Sequence, residues 1–267
     1  LVRSFDGMMT GSNWNRDRLI ELGLADVSCV HQGVDTDLFQ PQKSANKFSG
    51  RFVIFSGGKL EFRKGQDIAV AVFRAFHARH PDALLLTVWQ NPWYANIASL
   101  KESKHLRHDP PLGHESKAMT DWTAAEGIPA GAHIDLGAVN NQLMPEIYRE
   151  AHAALFTNRC EGGTNLVAME AMASGVPTVL SANTGHLDLI HDDNCLPLTR
   201  QTPVNDPDDT RRGWGESDVE ETLEKLEAIY ADRQAAKKIG LNGARRMFKM
   251  SWPGQIAKLI ETVSAGT

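Results

Sequence analysis

The 267-residue sequence holds three cysteines, Cys29, Cys160 and Cys195, an odd number set far apart. That excludes a disulfide framework and offers no metal-ligand spacing, so no zinc site is expected and a reducing compartment fits. No stretch approaches the roughly 20 apolar residues that span a bilayer, and the opening residues lack the charged-then-apolar form of a signal peptide. Basic charge is not in excess. Lys and Arg number 28 against 33 Asp and Glu, a net charge of −5, which argues against a broad surface for nucleic acid or anionic lipid and leaves room for a local basic pocket. Internal repeats are absent. No Gly-x-Gly-x-x-Gly follows a strand with an acidic residue at the right distance, so a dinucleotide-dependent dehydrogenase is disfavoured, and the P-loop order Gly-x-x-x-x-Gly-Lys-Ser/Thr is missing. Aromatics make up only 7%, and the six tryptophans form no stacking array and read as packing.

What is present is an ordinary globular composition, 42% hydrophobic and 23% charged. The length is ample for a core, long for one domain and short for two. The chain opens on Leu1 and reads as the inside of a fold, so a fragment of a longer protein is expected. Patterning alternates strand and helix: strands over residues 5–10, 27–31, 51–56, 83–89, 133–136, 153–156 and 178–181, helices over 14–22, 66–79, 117–127, 144–151, 164–173 and, long and charged, 219–247. Such alternation implies βαβ units and an α/β fold with a doubly wound, Rossmann-like parallel sheet. Residues 41–50 read as a polar linker, and 91–114 and 202–215 as long irregular segments, which are usually functional or mobile.

Two segments carry chemistry. The first, Gly57-Gly58-Lys59-Leu60-Glu61-Phe62-Arg63-Lys64-Gly65, follows a strand, and in a parallel sheet ligands bind beyond the carboxyl ends of the strands. Its glycines let the backbone approach a phosphate, and Lys59 and Lys64 are placed to neutralise a diphosphate. Taken alone it is also a common solvated basic turn. The second, Asn158-Arg159-Cys160-Glu161-Gly162-Gly163-Thr164-Asn165-Leu166 running on to Pro177, opens a helix, so Gly162, Gly163, Thr164, Asn165 and Leu166 would present free amides and the positive helix end to an anion. Glu170 lies deeper in that helix among apolar residues, where a buried carboxylate requires donors; sugar or ribose hydroxyls would serve. A third loop, residues 181–186, follows another strand and closes the same crevice; His186 there could touch a ligand, while the bland reading is a solvated loop histidine.

Taken together, Gly58 to Gly65, the Glu-Gly-Gly-Thr-Asn-Leu-Val-Ala-Met-Glu-Ala-Met-Ala-Ser-Gly-Val-Pro run and Ser251-Trp252 resemble the C-terminal, donor-binding half of a retaining glycosyltransferase of the GT-B fold, in the large group-1 (family four type) family that includes bacterial mannosyl- and glucosyltransferases. Residues 31–39, His-Gln-Gly-Val-Asp-Thr-Asp-Leu-Phe, resemble the family's hinge segment. The resemblance implies a nucleotide-diphosphate sugar as donor, with no cofactor and no metal. It implies Lys59, Lys64 and Glu161 as catalytic groups, and Gly58, Gly162, Gly163, Thr164, Asn165, Leu166 and Glu170 as the donor-binding set, with Glu170 at the ribose. Two departures stand out. Lys59 takes a place usually held by Arg, which removes a bidentate fork. Eight residues separate Glu161 from Glu170 where the family has seven, so either the loop carries an extra residue or Gly162 takes the family position.

The organisation implied is residues 1–26 as the remnant of an acceptor-binding domain, 27–250 as the nucleotide-sugar domain and 251–267 as a helix packing back across the cleft. The implied reaction is transfer of a hexose, with retention, to a glycan, lipid or protein acceptor bound by the absent half. Two alternatives are a non-catalytic nucleotide-sugar-binding module and a GT-B nucleotide-sugar epimerase. No nucleic-acid partner is expected; the location expected is cytoplasmic, with peripheral membrane contact through the absent domain and self-association through uncovered apolar surface.

Overall fold

The computed structural model describes residues 7–113 and 116–265. Residues 5 and 6 of the first expected strand, His114 at the end of the first irregular segment, and 266–267 of the terminal helix lie outside the described residues. In chain order the elements are β1 (Met8–Thr10), α1 (Asn13–Glu21), β2 (Val27–Cys29), β3 (Phe52–Gly58), α2 (Gln66–Arg79), β4 (Ala83–Trp89), α3 (Tyr94–Ala98), α4 (Ser116–Ala125), β5 (His133–Asp135) and α5 (Met144–Tyr148). There follow β6 (Ala153–Phe156), α6 (Leu166–Ala173), β7 (Thr178–Ser181), β8 (Leu196–Leu198), β9 (Gln201–Pro203), β10 (Gly215–Ser217), α7 (Val219–Ala231), α8 (Arg233–Phe248) and α9 (Trp252–Ala265).

Six strands form one parallel sheet in the order β5-β4-β3-β6-β7-β8. β3 explains the layering. Its residues alternate between faces: Phe52 and Ile54 enter a cluster with Ile68, Phe73 and Phe76 of α2 and Leu223 and Leu226 of α7, while Val53 and Phe55 join Tyr148 of α5 and Met169 and Met172 of α6. Both faces are therefore dry, which is why the strand reads as a continuous apolar run and why the sheet is doubly wound.

The structure departs from the sequence reading at three places, two of them corrections and one a strand the reading did not contain. The helical run over 219–247 is two helices, because the Asp232 carboxylate accepts from the amides of Gln234 and Ala235 and caps α8 where α7 stops. β8 is an edge strand built around Pro197, a residue that hides a strand from pattern reading. The segment expected to be irregular over 202–215 is bounded by an antiparallel pair, β9 with β10. It is tied to the other long segment: Arg211 binds Glu102 at 2.6 and 2.8 Å, and Lys104 and His105 bind Glu216 at 2.7 and 3.1 Å.

β1, α1 and β2 make a separate two-stranded parallel unit, with Ser12 capping α1 through the Asn15 amide at 3.1 Å. At the other end, Ser251 pairs with Val34, so α9 starts against the 31–39 segment. Among the described residues no helix is long and apolar enough to cross a membrane.

Candidate functional site

The chain runs from β3 outward to β5, then returns past β3 to continue through β6 to β8, so strand order reverses between β3 and β6. At that reversal the loops leaving two neighbouring strands diverge and open a crevice beyond their carboxyl ends. The loops there are 59–65 after β3 and 157–165 after β6, which hold most of the first segment singled out from sequence and the opening of the second.

The two lysines are placed differently. Lys59 is exposed, its Nζ 4.2 Å from the centroid of the Trp93 ring; Trp93 is itself 54% exposed, so this tryptophan is not packing. Lys64 is not on an open turn: its side chain is 13% exposed and its Nζ donates to Glu161 Oε1. Arg63, to which the sequence reading gave no role, donates to Glu161 Oε2 at 3.1 Å and to Glu61 Oε1 at 2.6 Å. Gly65 fixes the turn. Its φ is 70°, and a Cβ would lie 2.0 Å from the Thr157 carbonyl oxygen, so only glycine lets the first loop lie against the second.

Glu161 is buried at the centre of this cluster, with Asn158 Nδ2 also donating to it. Burial pushes its carboxyl up, but the Lys64 ammonium foremost, with the Arg63 guanidinium, more than offsets this and holds it below the usual carboxylate range. The base of the loop is fixed by Arg159, fully buried. Its guanidinium clasps Asp67 of α2 at 2.8 and 2.6 Å, donates to the Phe62 carbonyl at 2.7 Å and reaches Glu216 at 3.1 Å. Gly162 is exposed, and Asn165, with φ 66°, caps α6 through the Ala168 amide at 3.4 Å. α6 begins at Leu166, so the amides of Leu166 and Val167 have no intrahelical acceptor and carry the positive end of the helix toward the crevice. Thr164 turns inward instead and is buried, its hydroxyl 3.1 Å from Met169 Sδ.

Glu170 is half-buried one turn along α6. Tyr148 Oη donates to its Oε2 at 3.0 Å and Asn141 Nδ2 to its Oε1 at 2.9 Å, so two donors orient the carboxylate while each oxygen keeps accepting capacity. Burial raises its pKa above the ordinary value. Asn141 adjoins the 137–140 loop, which brings that loop beside the carboxylate.

His186 is fully buried rather than solvated. Nδ1 lies 2.9 Å from Ser181 Oγ and Nε2 3.0 Å from Asn165 Nδ2, and burial lowers its pKa to about 4, so the ring is neutral. It is a brace for the helix cap. Gly185 donates its amide to the Glu161 carbonyl at 2.9 Å. A Cβ there would lie 1.7 Å from the Gly163 carbonyl oxygen, so the third loop is wedged directly under the second. A cavity of about 530 Å³ opens beside Gly162 and Gly163, walled by Thr10, His31, Gln32 and, from α9, Trp252 and Gln255. Ser12 Oγ donates to the Gly162 carbonyl at 2.7 Å, which joins the N-terminal unit to this rim.

Comparison with known proteins places this geometry. Over all of its length the chain is 26% identical to the mannosylfructose-phosphate synthase of Agrobacterium fabrum, of which it covers 54%. Its fold matches the sucrose-phosphate synthase of Thermosynechococcus elongatus (TM-score 0.70, 19% identity, 97% of this chain and 58% of that one). It also matches HepE of Anabaena, solved with UDP and glucose (TM-score 0.72, 15% identity, 97% and 63%). The chain thus spans little more than half the length of these proteins, and its parallel sheet with flanking helices is that of the GT-B architecture. The model of the family described as glycosyl transferases group 1 matches residues 39–246, and the chain belongs to that family.

Proposed function

We propose that the chain is the donor-binding part of a retaining glycosyltransferase that moves a hexose from a nucleotide-diphosphate sugar to an acceptor. The observation that carries this is the convergence of Lys64, Glu161 and the start of α6 on the crevice where strand order reverses, with Glu170 one turn beyond. In this reading the diphosphate lies on Lys59, Lys64 and the amides of residues 163–166, with Gly58 and Gly162 allowing close approach, and Glu170 takes the ribose hydroxyls. As the bond between the anomeric carbon and the diphosphate oxygen breaks, negative charge grows on the diphosphate. Ammonium groups and helix amides already fixed in place stabilise it without reorganisation and without need of a metal. Glu161, ionised and held by two cations, faces the sugar side of that bond and sets the orientation of Lys64.

HepE, solved with UDP and with UDP-glucose, supports a nucleotide sugar as the ligand class. Residues 27–250 carry the whole donor site in this reading. The acceptor, a glycan, lipid or protein, sits against a facing domain of which residues 1–26 are part, in a cytoplasmic enzyme with peripheral membrane contact there. The apolar residues uncovered on α1 and α9, among them Ile20, Ile256 and Ile260, cover one another by self-association when that domain is lacking. A transfer reaction gains much of its rate from holding two reactants in one dry cleft, so this chain alone should bind donor and transfer slowly. Calorimetric titration with UDP, GDP, ADP and their sugars, followed by product analysis, tests the reading. Binding of a nucleotide sugar with slow release of the sugar supports it; sugar inversion with no transfer indicates an epimerase, and binding of no nucleotide rejects it.

A further inference from the structure

β2 ends at Cys29, His31 follows two positions on, and Asp188 closes the short helical turn over residues 184–188. Their side chains converge on one point. His31 Nε2 is 2.9 Å from Asp188 Oδ2 and 3.7 Å from Cys29 Sγ, and the three atoms all lie within 4.8 Å of one another. Both partners meet the same ring nitrogen. In a nucleophile relay the carboxylate and the thiol would flank the imidazole on its two different nitrogens, so the arrangement is not a Cys-His-Asp triad. Sulfur, nitrogen and oxygen donor atoms meeting at one place are the ligand set that a borderline-soft divalent cation takes.

We propose that Cys29 Sγ, His31 Nε2 and Asp188 Oδ2 bind one Zn²⁺, with a water as fourth ligand from the cavity that His31 lines. Tetrahedral bonds of the usual lengths separate N from O by about 3.3 Å and S from N by about 3.6 Å. The second spacing already exists, and the first needs the ring and the carboxylate to part by about 0.4 Å. The Asp188 carboxylate is oriented for this by Asn13, whose backbone N donates to Oδ2 at 2.7 Å and whose Nδ2 donates to Oδ1 at 3.0 Å, the kind of outer support that ligating carboxylates receive. The two-residue step in extended chain puts Cys29 and His31 on one side. Binding releases two protons to solvent, one from the thiol and one from the imidazolium that otherwise pairs with Asp188.

The site has a structural consequence. It ties β2, and the 31–39 segment leading from it, to the 184–188 turn, whose Thr184 hydroxyl and Gly185 amide hold the backbone of Glu161. The inference does not rest on the donor reading above. Spacing rules could not find it, because Asp188 is 157 positions from His31.

The test uses the untagged, metal-free chain. Calorimetry is expected to give one Zn²⁺ per chain, and Co²⁺ to give a thiolate-to-metal absorption band. Cys29→Ser, which leaves the His31 pair with Asp188 in place, should abolish that band and weaken Zn²⁺ by more than about tenfold; Asp188→Asn, which keeps an acceptor for Asn13, should weaken it by about tenfold. In the native chain Zn²⁺ should also slow alkylation of Cys29, read by mass spectrometry, which needs no variant. Absence of Zn²⁺ binding, a thiolate band that persists in Cys29→Ser, or alkylation of Cys29 indifferent to Zn²⁺ would each overturn the assignment.

Discussion

Arg159→Met tests what holds the site in register. The guanidinium and Asp67 are both fully buried, and Arg159 supplies both carboxylate contacts of the fork as well as the bond to the Phe62 carbonyl and one to Glu216. Removing the cation leaves Asp67 with Ser103 Oγ at 2.5 Å as its remaining side-chain donor, while Glu216 keeps Lys104 and His105. The loss is therefore dominated by one uncompensated buried carboxylate. Breaking such a pair on one side costs about 3–5 kcal/mol. Removing both charges in Arg159→Met with Asp67→Leu should cost distinctly less, because no bare charge remains. Urea unfolding of the two single variants, the double variant and the native chain gives the coupling energy directly. A loss below about 1 kcal/mol for Arg159→Met, or a double variant weaker than both singles together, would refute the argument that this pair anchors the loop.

Three further outcomes follow from the same geometry. Glu170→Gln keeps the shape but weakens a charge-assisted bond, so ribonucleotide affinity should fall by about 1–3 kcal/mol; equal binding of ribo- and 2′,3′-dideoxynucleotides to the native chain would remove Glu170 from that role. His133 and His186 are held near 4 by burial against 6.5 in the open chain, so the unfolded chain takes up their protons first. The stability carried by these neutral rings is complete above 6.5 and is lost as pH falls toward 4, with the Glu161 contribution lost below its ordinary 4.5. A Tm that holds constant from pH 6.5 to 4.5 would contradict this. Gly185→Ala must push the third loop off the Gly163 carbonyl and should cost about 1–3 kcal/mol while weakening nucleotide binding; native stability and affinity in that variant would show that the wedge is dispensable.

The parts of the fold legible in the sequence are those where one physical cause dominates. The buried runs of β3, β4, β6 and β7 and the apolar face of α2 announce themselves because burial on both faces leaves no choice of residue. Asp232 was hidden because its capping bond competes with helix continuation, a local balance that charge patterning does not reveal. The site was legible as loops but not as contacts. Lys64 looks like an exposed turn residue until tertiary packing brings Glu161 against it, and Arg159, Tyr148 and Asn141 are unremarkable in sequence, their roles arising from partners 92, 22 and 29 positions away. Asp67 gave no clue either, because an acidic residue in the first turn of a helix is an ordinary start signal and its burial against Arg159 arises only in the fold. His186 shows the opposite error, since a polar residue in a loop reads as solvated even when the loop is wedged beneath another.

The central claim is that a nucleoside diphosphate seats on Lys59, Lys64 and the start of α6. Calorimetric titration of the native chain and of Lys59→Ala with Lys64→Ala tests it directly, using the nucleoside diphosphate that binds best and its monophosphate. Urea unfolding alongside is needed because Lys64 is paired with Glu161 and its loss affects stability. The account predicts that the native chain prefers the diphosphate, and that the double variant, still folded, loses that preference and at least about 2 kcal/mol of affinity. Undiminished diphosphate binding by the folded double variant would contradict it.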